Sequence, residues 1–344
     1  MTTRNSFDLL RLLAAVAVIA FHADVLAGRT PWSVGEINLG FLGVGAFFVI
    51  SGYLVTDSRL RSDTFRVFLV KRLLRIEPAL IVSLILTAFL VGPLVTSLPL
   101  GEYLRNKGAF LYVAKNSLLY PAAYGLPGVF EHNLAPGVVN GSLWTLRVEF
   151  TLYLALGLLG AAKLLKPLTM AAIALVLASA AFALQAVPHT ISPGLVRTSL
   201  IGAQYAFLFF AGALLRLFDR PLPAWSLGSA LLLLTPAWIL GLPILVVWLG
   251  SRRSIRLPAD LSYGLYIYAF PVQQLLASHG LLSFWTSLAA TLPFAAASWF
   301  VVERPALRLK QAATQPLAPY WLTWAKVWRS SGLSWPLAAR PRSR

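Results

Sequence analysis

An all-α, polytopic membrane fold is what this sequence predicts, on three observations. Hydrophobic residues make up 58% of its 344 positions, charged ones only 12%, and mean hydropathy is +0.73, against roughly 45–50% apolar content in soluble domains. Apolar runs of the roughly 17–25 residues that cross a bilayer recur along the chain. Lys and Arg fall almost entirely in alternate connecting segments, as the positive-inside rule requires of a multi-pass protein.

The runs lie near 8–27, 38–56, 77–96, 142–161, 167–187 and 195–216, with a further pair over 259–303 broken around Ser278-His279-Gly280. The stretch 223–250 is punctuated by Pro236 and Gly241-Leu242-Pro243 and reads as a short hairpin, which brings the expectation to about ten helices. With both termini on the cytoplasmic side, the outer segments hold only Arg29, Arg105, Lys107, Lys115 and Arg197 of the 29 Lys and Arg, while Arg11 and Arg147 sit within runs. The net charge of +17 is therefore largely topological, and a nucleic-acid partner is not expected. The first run carries charges and lacks a small-residue cleavage site, so it reads as a retained helix. The absence of cysteine excludes disulfides, a thiolate nucleophile and cysteine metal sites, and no metal site is expected.

One membrane domain is expected over 1–310 and a basic tail over 311–344. In the tail Trp321, Trp324 and Trp328 recur at helical spacing, as in an amphipathic helix on the inner leaflet followed by disorder. The outer stretch 97–141 is rich in tyrosine and asparagine (Tyr103, Tyr112, Tyr120, Tyr124, Asn133, Asn140), suited either to sugar recognition or to an interfacial aromatic belt.

Ionisable groups inside spanning helices are costly, so they mark candidate function. Arg11 and His22 are eleven residues apart in the first run. At about 100° and 1.5 Å per residue they fall within about 20° of one face, about 16 Å apart along the axis. One groove could then hold an anionic head at Arg11 and a long arm reaching His22, as in coenzyme A. Neutral imidazole would take the acceptor's hydroxyl proton as general base. The competing reading is a packing histidine. Of His22, His132, His189 and His279, only His22 falls inside a spanning run.

The second run carries Gly40, Gly43 and Gly45, then Phe47-Phe-Val-Ile-Ser-Gly-Tyr53. Small residues allow close helix approach, and Ser51 and Tyr53 are assigned to the wall of a donor channel. No base for Ser51 occurs in this segment. Arg72 and Arg75 follow, three apart on one helical face, and paired guanidinium groups suit the phosphates of a nucleotide donor. Ordinary positive-inside anchoring competes with that reading. The run that begins Ser142-Leu-Trp-Thr-Leu-Arg-Val-Glu149 places Ser142, Thr145, Glu149 and Tyr153 on one polar face. Glu149 is expected near the depth of His22, orienting its ring, unless it pairs with Arg147 or Arg11. Ser142, Trp144, Thr145 and Tyr153 are acceptor-side candidates.

These motifs, together with Leu261-Ser-Tyr-Gly-Leu-Tyr-Ile-Tyr268, Pro271 and Val302-Glu-Arg-Pro305, run in order over about 1–310. The chain resembles the acyltransferase-3 family of membrane O-acyltransferases, which modify bacterial polysaccharides, lipopolysaccharide, nodulation factors and some antibiotics. The resemblance implies about ten helices in the bacterial plasma (inner) membrane, no bound cofactor, and acetyl-CoA or another acyl-CoA as donor substrate. It implies functional roles for Arg11, His22, Arg72 and Arg75 and does not fix the acceptor, for which a glycan or lipid-linked sugar is expected. Ala269 departs from the pattern, because many members carry His there, and more weight falls on His22. The expected reaction moves an acyl group, acetyl in the first instance, onto a hydroxyl at the outer side of the membrane. A transporter or flippase is the alternative of another class, against which stands the absence of internal repeats.

Overall fold

A computed structural model of the chain describes residues 6–120, 123–187, 192–218, 220–252, 255 and 257–314. Helix α1 (Phe7–Leu26) is followed by a two-residue hairpin, β1 (Ser33–Val34) and β2 (Ile37–Asn38), and by α2 (Leu39–Leu60). Helix α3 (Phe65–Leu86) runs through a π turn at Thr87–Val91 into α4 (Gly92–Val95), and α5 (Leu100–Arg105) and α6 (Lys107–Ser117) lie beyond it. Then come α7 (Leu143–Ala161), α8 (Pro167–Gln185), α9 (Pro193–Phe218), a 3-10 helix at Ala224–Leu234 and α10 (Trp238–Arg252). Helix α11 (Ser262–Ser278) and α12 (Phe284–Ala297) follow, and a second π turn, Ser298–Glu303, leads into α13 (Arg304–Thr314).

Seven helices are long and apolar enough to cross a membrane: Phe7–Leu26, Leu39–Leu60, Phe65–Val95, Leu143–Ala161, Pro167–Gln185, Gly194–Phe218 and Phe284–Leu309. The chain is an all-α, multi-pass membrane protein. The remaining expected crossings fall on shorter pieces. The 223–250 hairpin exists, but its first arm is an eleven-residue 3-10 helix and its second has fifteen residues, and α11 has seventeen. Helix α3 begins twelve residues before the apolar run, because Thr64 caps it by accepting a hydrogen bond from the Val67 amide. Arg72 and Arg75 are thus already helical. Gly280, at φ +67°, terminates α11 where the break was expected. Residues 315–344 of the tail, with Trp321, Trp324 and Trp328, lie outside the described residues, as does His189.

Helix α2 is the most enclosed of the seven, packed between α1 and α9 with α7 and α10 alongside. Its glycines permit this. A Cβ on Gly43 would meet the Ala14 carbonyl oxygen at 2.6 Å, and one on Gly52 would run into the Phe209 carbonyl oxygen. Side chains at these two positions would force both neighbouring helices outward.

The 97–141 segment is folded onto the bundle rather than held free for a ligand. The Tyr103 hydroxyl donates to the Ala88 carbonyl at 2.6 Å, within the first π turn. Asn116 bonds the Tyr112 and Ala123 carbonyls, Asn133 the Gln274 carbonyl and Asn140 the Ile267 carbonyl. Asn133, Asn140 and Tyr103, three of the residues that suggested sugar recognition, are therefore internal fasteners, and burial pushes the Tyr103 hydroxyl up to about 12.

Candidate functional site

A cavity of about 370 Å³ runs along one face of α2. Val44, Phe48, Ser51, Leu54, Ser58 and Arg61 line it at spacings of three and four. That stripe covers about 26 Å of helix. Arg11 enters from α1, Arg72 and Arg75 from α3, Thr145, Glu149 and Tyr153 from α7, and Tyr263 and Tyr266 from α11, with Asp260 just ahead of α11.

The three arginines are not equivalent. Arg75 donates to Asp260 at 2.6 Å and to Glu303 at 3.2 Å, and Glu303 is only 2% exposed. Arg11 lies 3.3 Å from Asp8 and 3.9 Å from Asp260. Burial alone would raise the Asp260 carboxyl, but Arg75, Arg11 and the Ser262 hydroxyl and amide hold it below the usual carboxylate range. Arg72, by contrast, has no carboxylate within 4.0 Å among the described residues. It reaches the Ser58 hydroxyl at 3.4 Å and stands 5.9 Å over the Tyr153 ring, and its Nε is buried without a partner. A cation so placed has unused capacity for an anionic ligand.

Glu149 is anchored within the cavity. Its Oε1 accepts from Ser51 Oγ at 2.6 Å and from the Tyr153 hydroxyl. The partner absent from the Ser51 segment thus comes from α7. Neither ion pair foreseen for Glu149 forms among the described residues: Arg147 turns to the Tyr124 hydroxyl and Arg11 to Asp8 and Asp260. Thr145 joins the Tyr266 hydroxyl at 2.6 Å, beneath an edge contact between Phe47 and Tyr266 at 5.5 Å. Tyr53 does not line the cavity. Two residues from Ser51 it turns to the opposite side of α2, where its ring meets Phe7 and the Arg216 guanidinium.

His22 does not share this cavity with Arg11, contrary to the expected common groove. The lining stops at Val44, about one turn short of Gly40, and Gly40 abuts Phe21. The His22 ring packs edge-on against Phe270 of α11 at 5.0 Å and tilted against Phe21 at 5.2 Å. Its expected neighbour Glu149 bonds Ser51 and Tyr153 instead. On the same α11 face, Gln273 donates to the Ile19 carbonyl at 2.8 Å and keeps a buried, unpartnered Oε1.

Helix α7 serves a second cavity, of about 520 Å³, from another face. Trp144, Arg147, Val148, Thr151 and Leu152 line it, opposite Thr198, Ile201 and Gly202 of α9, with Tyr120 and Tyr124 at its mouth. Of the acceptor-side candidates, Thr145 and Tyr153 therefore face the first cavity and Trp144 the second. Ser142 lines neither: its carbonyl accepts from Thr145 and Tyr266, and its Oγ is buried without a partner. The sequence reading missed Asp260 and Glu303 as partners of Arg75, although Glu303 lay within a motif that it singled out.

The acyltransferase-3 family, described as an acyltransferase domain, matches residues 4–301. An O-acetyl transferase of Shigella phage Sf6 is 30% identical over 88% of this chain and 96% of its own length. Nodulation protein 10 of Rhizobium leguminosarum bv. viciae is 29% identical over 89% and 94%. Peptidoglycan O-acetyltransferase OatA of Listeria monocytogenes is 30% identical over 43% of this chain and 23% of that protein. No solved structure matches. A family match along nearly the whole bundle, with an O-acetyl transferase matched over 96% of its own length, means that the chain belongs to the acyltransferase-3 family and is a membrane O-acyltransferase.

Proposed function

We propose that the α2-lined cavity takes an acyl-CoA, acetyl-CoA in the first instance, from the cytoplasmic end, for transfer to a glycan or lipid-linked sugar hydroxyl at the outer side of a bacterial inner membrane. The observation that carries this reading is Arg72, which has no carboxylate within 4.0 Å among the described residues in a long cavity whose other three arginines, Arg11, Arg61 and Arg75, each lie that close to one. Arg72 takes a donor phosphate, Arg75 and Arg11 hold the basic end in shape through Asp260, and the thioester arm extends along Ser51 toward Phe47. A polysaccharide acceptor is supported by the relative whose name specifies peptidoglycan. The shorter pieces at Ala224–Leu234, Trp238–Arg252 and Ser262–Ser278 bring the bundle to ten crossings, with both termini cytoplasmic. The chain has no cysteine, so single introduced cysteines can be labelled from either side without background to test this topology.

In the reaction, the acceptor hydroxyl oxygen bonds to the thioester carbonyl carbon while a base takes the hydroxyl proton. The C–S bond breaks, and the departing thiolate takes that proton to become free coenzyme A. His22 is the proposed base, acting from just beyond the end of the cavity. For the thioester to reach it, Phe47 and Tyr266 must separate. A second reading has a specific observation in its favour: Glu149 lines the cavity and His22 does not. In that reading Glu149 is the base. Purified protein given labelled acetyl-CoA and a candidate glycan separates the two. On the first reading His22→Gln lowers turnover by about 10²–10⁴-fold with coenzyme A binding retained. A near-normal rate in His22→Gln, with collapse in Glu149→Gln, transfers the role to Glu149. Movement of label across vesicles without any acylated product would return the chain to the transporter reading.

A further inference from the structure

We propose that the second cavity, between α7 and α9, is a binding site for a membrane lipid with a net-anionic head of one phosphodiester, whose phosphate pairs with Arg147. Arg147 lies in the second turn of a spanning helix, at the end of the bundle opposite Arg61 and Arg72. Among the described residues its guanidinium has one hydrogen-bond partner, the Tyr124 hydroxyl at 3.0 Å, and its Nε is buried with none. No carboxylate lies within 4.0 Å of it among the described residues. An unpaired guanidinium at membrane depth is costly and calls for an anion.

The cavity is graded as an amphiphile is. Tyr120, 50% exposed, and the exposed Thr198 stand at its open side, and the walls along the two helices are Val148, Leu152 and Ile201, with Thr151 as the one polar wall residue below Arg147, its hydroxyl already bonded to the Arg147 carbonyl and the Tyr120 hydroxyl. A head seated at Arg147 would therefore lay its chain along an apolar wall. The charge count selects the head. Arg147 is the only cation among the lining residues, which matches a phosphodiester with one negative charge and leaves the further charge of a diphosphate carrier uncompensated. Gly202 lends the site its width, since a side chain built there meets nothing within 4 Å.

The test is native mass spectrometry of the full chain, released from nanodiscs containing phosphatidylglycerol and phosphatidylcholine. Wild-type protein should retain phosphatidylglycerol selectively. Arg147→Gln should reduce its occupancy by about tenfold or more, Arg147→Lys should restore part of it, and Gly202→Leu should displace the lipid while leaving the arginine in place. Far-UV circular dichroism and the thermal unfolding of the same samples report that each variant is folded. Equal retention by wild type, Arg147→Gln and Gly202→Leu would overturn the site. Preference for a polyprenyl diphosphate over phosphatidylglycerol would overturn the head assignment, and equal protection by inorganic phosphate would overturn the lipid.

Discussion

Arg72 and Arg75 stand three residues apart on one helix and face one cavity, yet they sit in opposite electrostatic surroundings. Arg75 is clasped by Asp260 and Glu303 from two other segments, while Arg72 has only a serine hydroxyl and the face of a tyrosine. A doubled arginine motif thus divides its labour. One cation ties the bundle together and the other is left available for a ligand, because a guanidinium already matched by carboxylates gains little from a phosphate.

The largest expected effect is on the clasped member. Arg75→Ala leaves the buried Glu303 with no cation within 4.0 Å among the described residues, and Asp260 with Arg11 alone at 3.9 Å, and should cost about 3–5 kcal/mol of stability, read as loss of folded protein on heating in detergent. Arg72→Ala should leave the melting temperature near or above the wild-type value and weaken coenzyme A binding by about 10–100-fold, through the lost charged hydrogen bonds. Lysine at Arg72 should restore binding only in part, lacking the planar fork. Reversed outcomes, with a heat-stable Arg75→Ala and a heat-labile Arg72→Ala, would erase the distinction. The smallest effect concerns acid. Asp260 is held below its ordinary range, so its contribution is complete above about pH 4 and drains away as pH falls through the lowered value. The melting-temperature gap between wild type and Asp260→Asn should therefore stay constant above about pH 4 and narrow as pH falls below it. A gap that widens with acid would mean that the fold holds Asp260 above its ordinary range rather than below it.

The apolar runs were legible because lipid imposes a single requirement, length without charge, and most spans end within a few residues of their expected limits. The start of α3 was not, since a charged helical turn ahead of the lipid carries no hydropathy signal and only the Thr64 cap marks it. The hairpin was visible as a break but not as a 3-10 arm, a choice made by packing against α10. At the site, residue types were readable and partnerships were not. Ser51 and Glu149 are 98 positions apart, and Arg75 and Glu303 228. The Arg11–His22 register was sound as helix geometry. It failed as a prediction of a shared cavity because α11 supplies Phe270 against the ring, a neighbour that periodicity within α1 cannot reveal.

Helix α7 is a party wall. Thr145, Glu149 and Tyr153 look into one chamber, and Trp144, Arg147 and Thr151 into the other. A rotation of this helix that widened one chamber would narrow the other, and the proposed occupants would then be coupled through it. By thermodynamic reciprocity, whatever factor an occupant beside Arg147 applies to donor affinity, the donor returns to that occupant. The composition of the surrounding membrane would then act as a dial on the enzyme's appetite for its acyl donor.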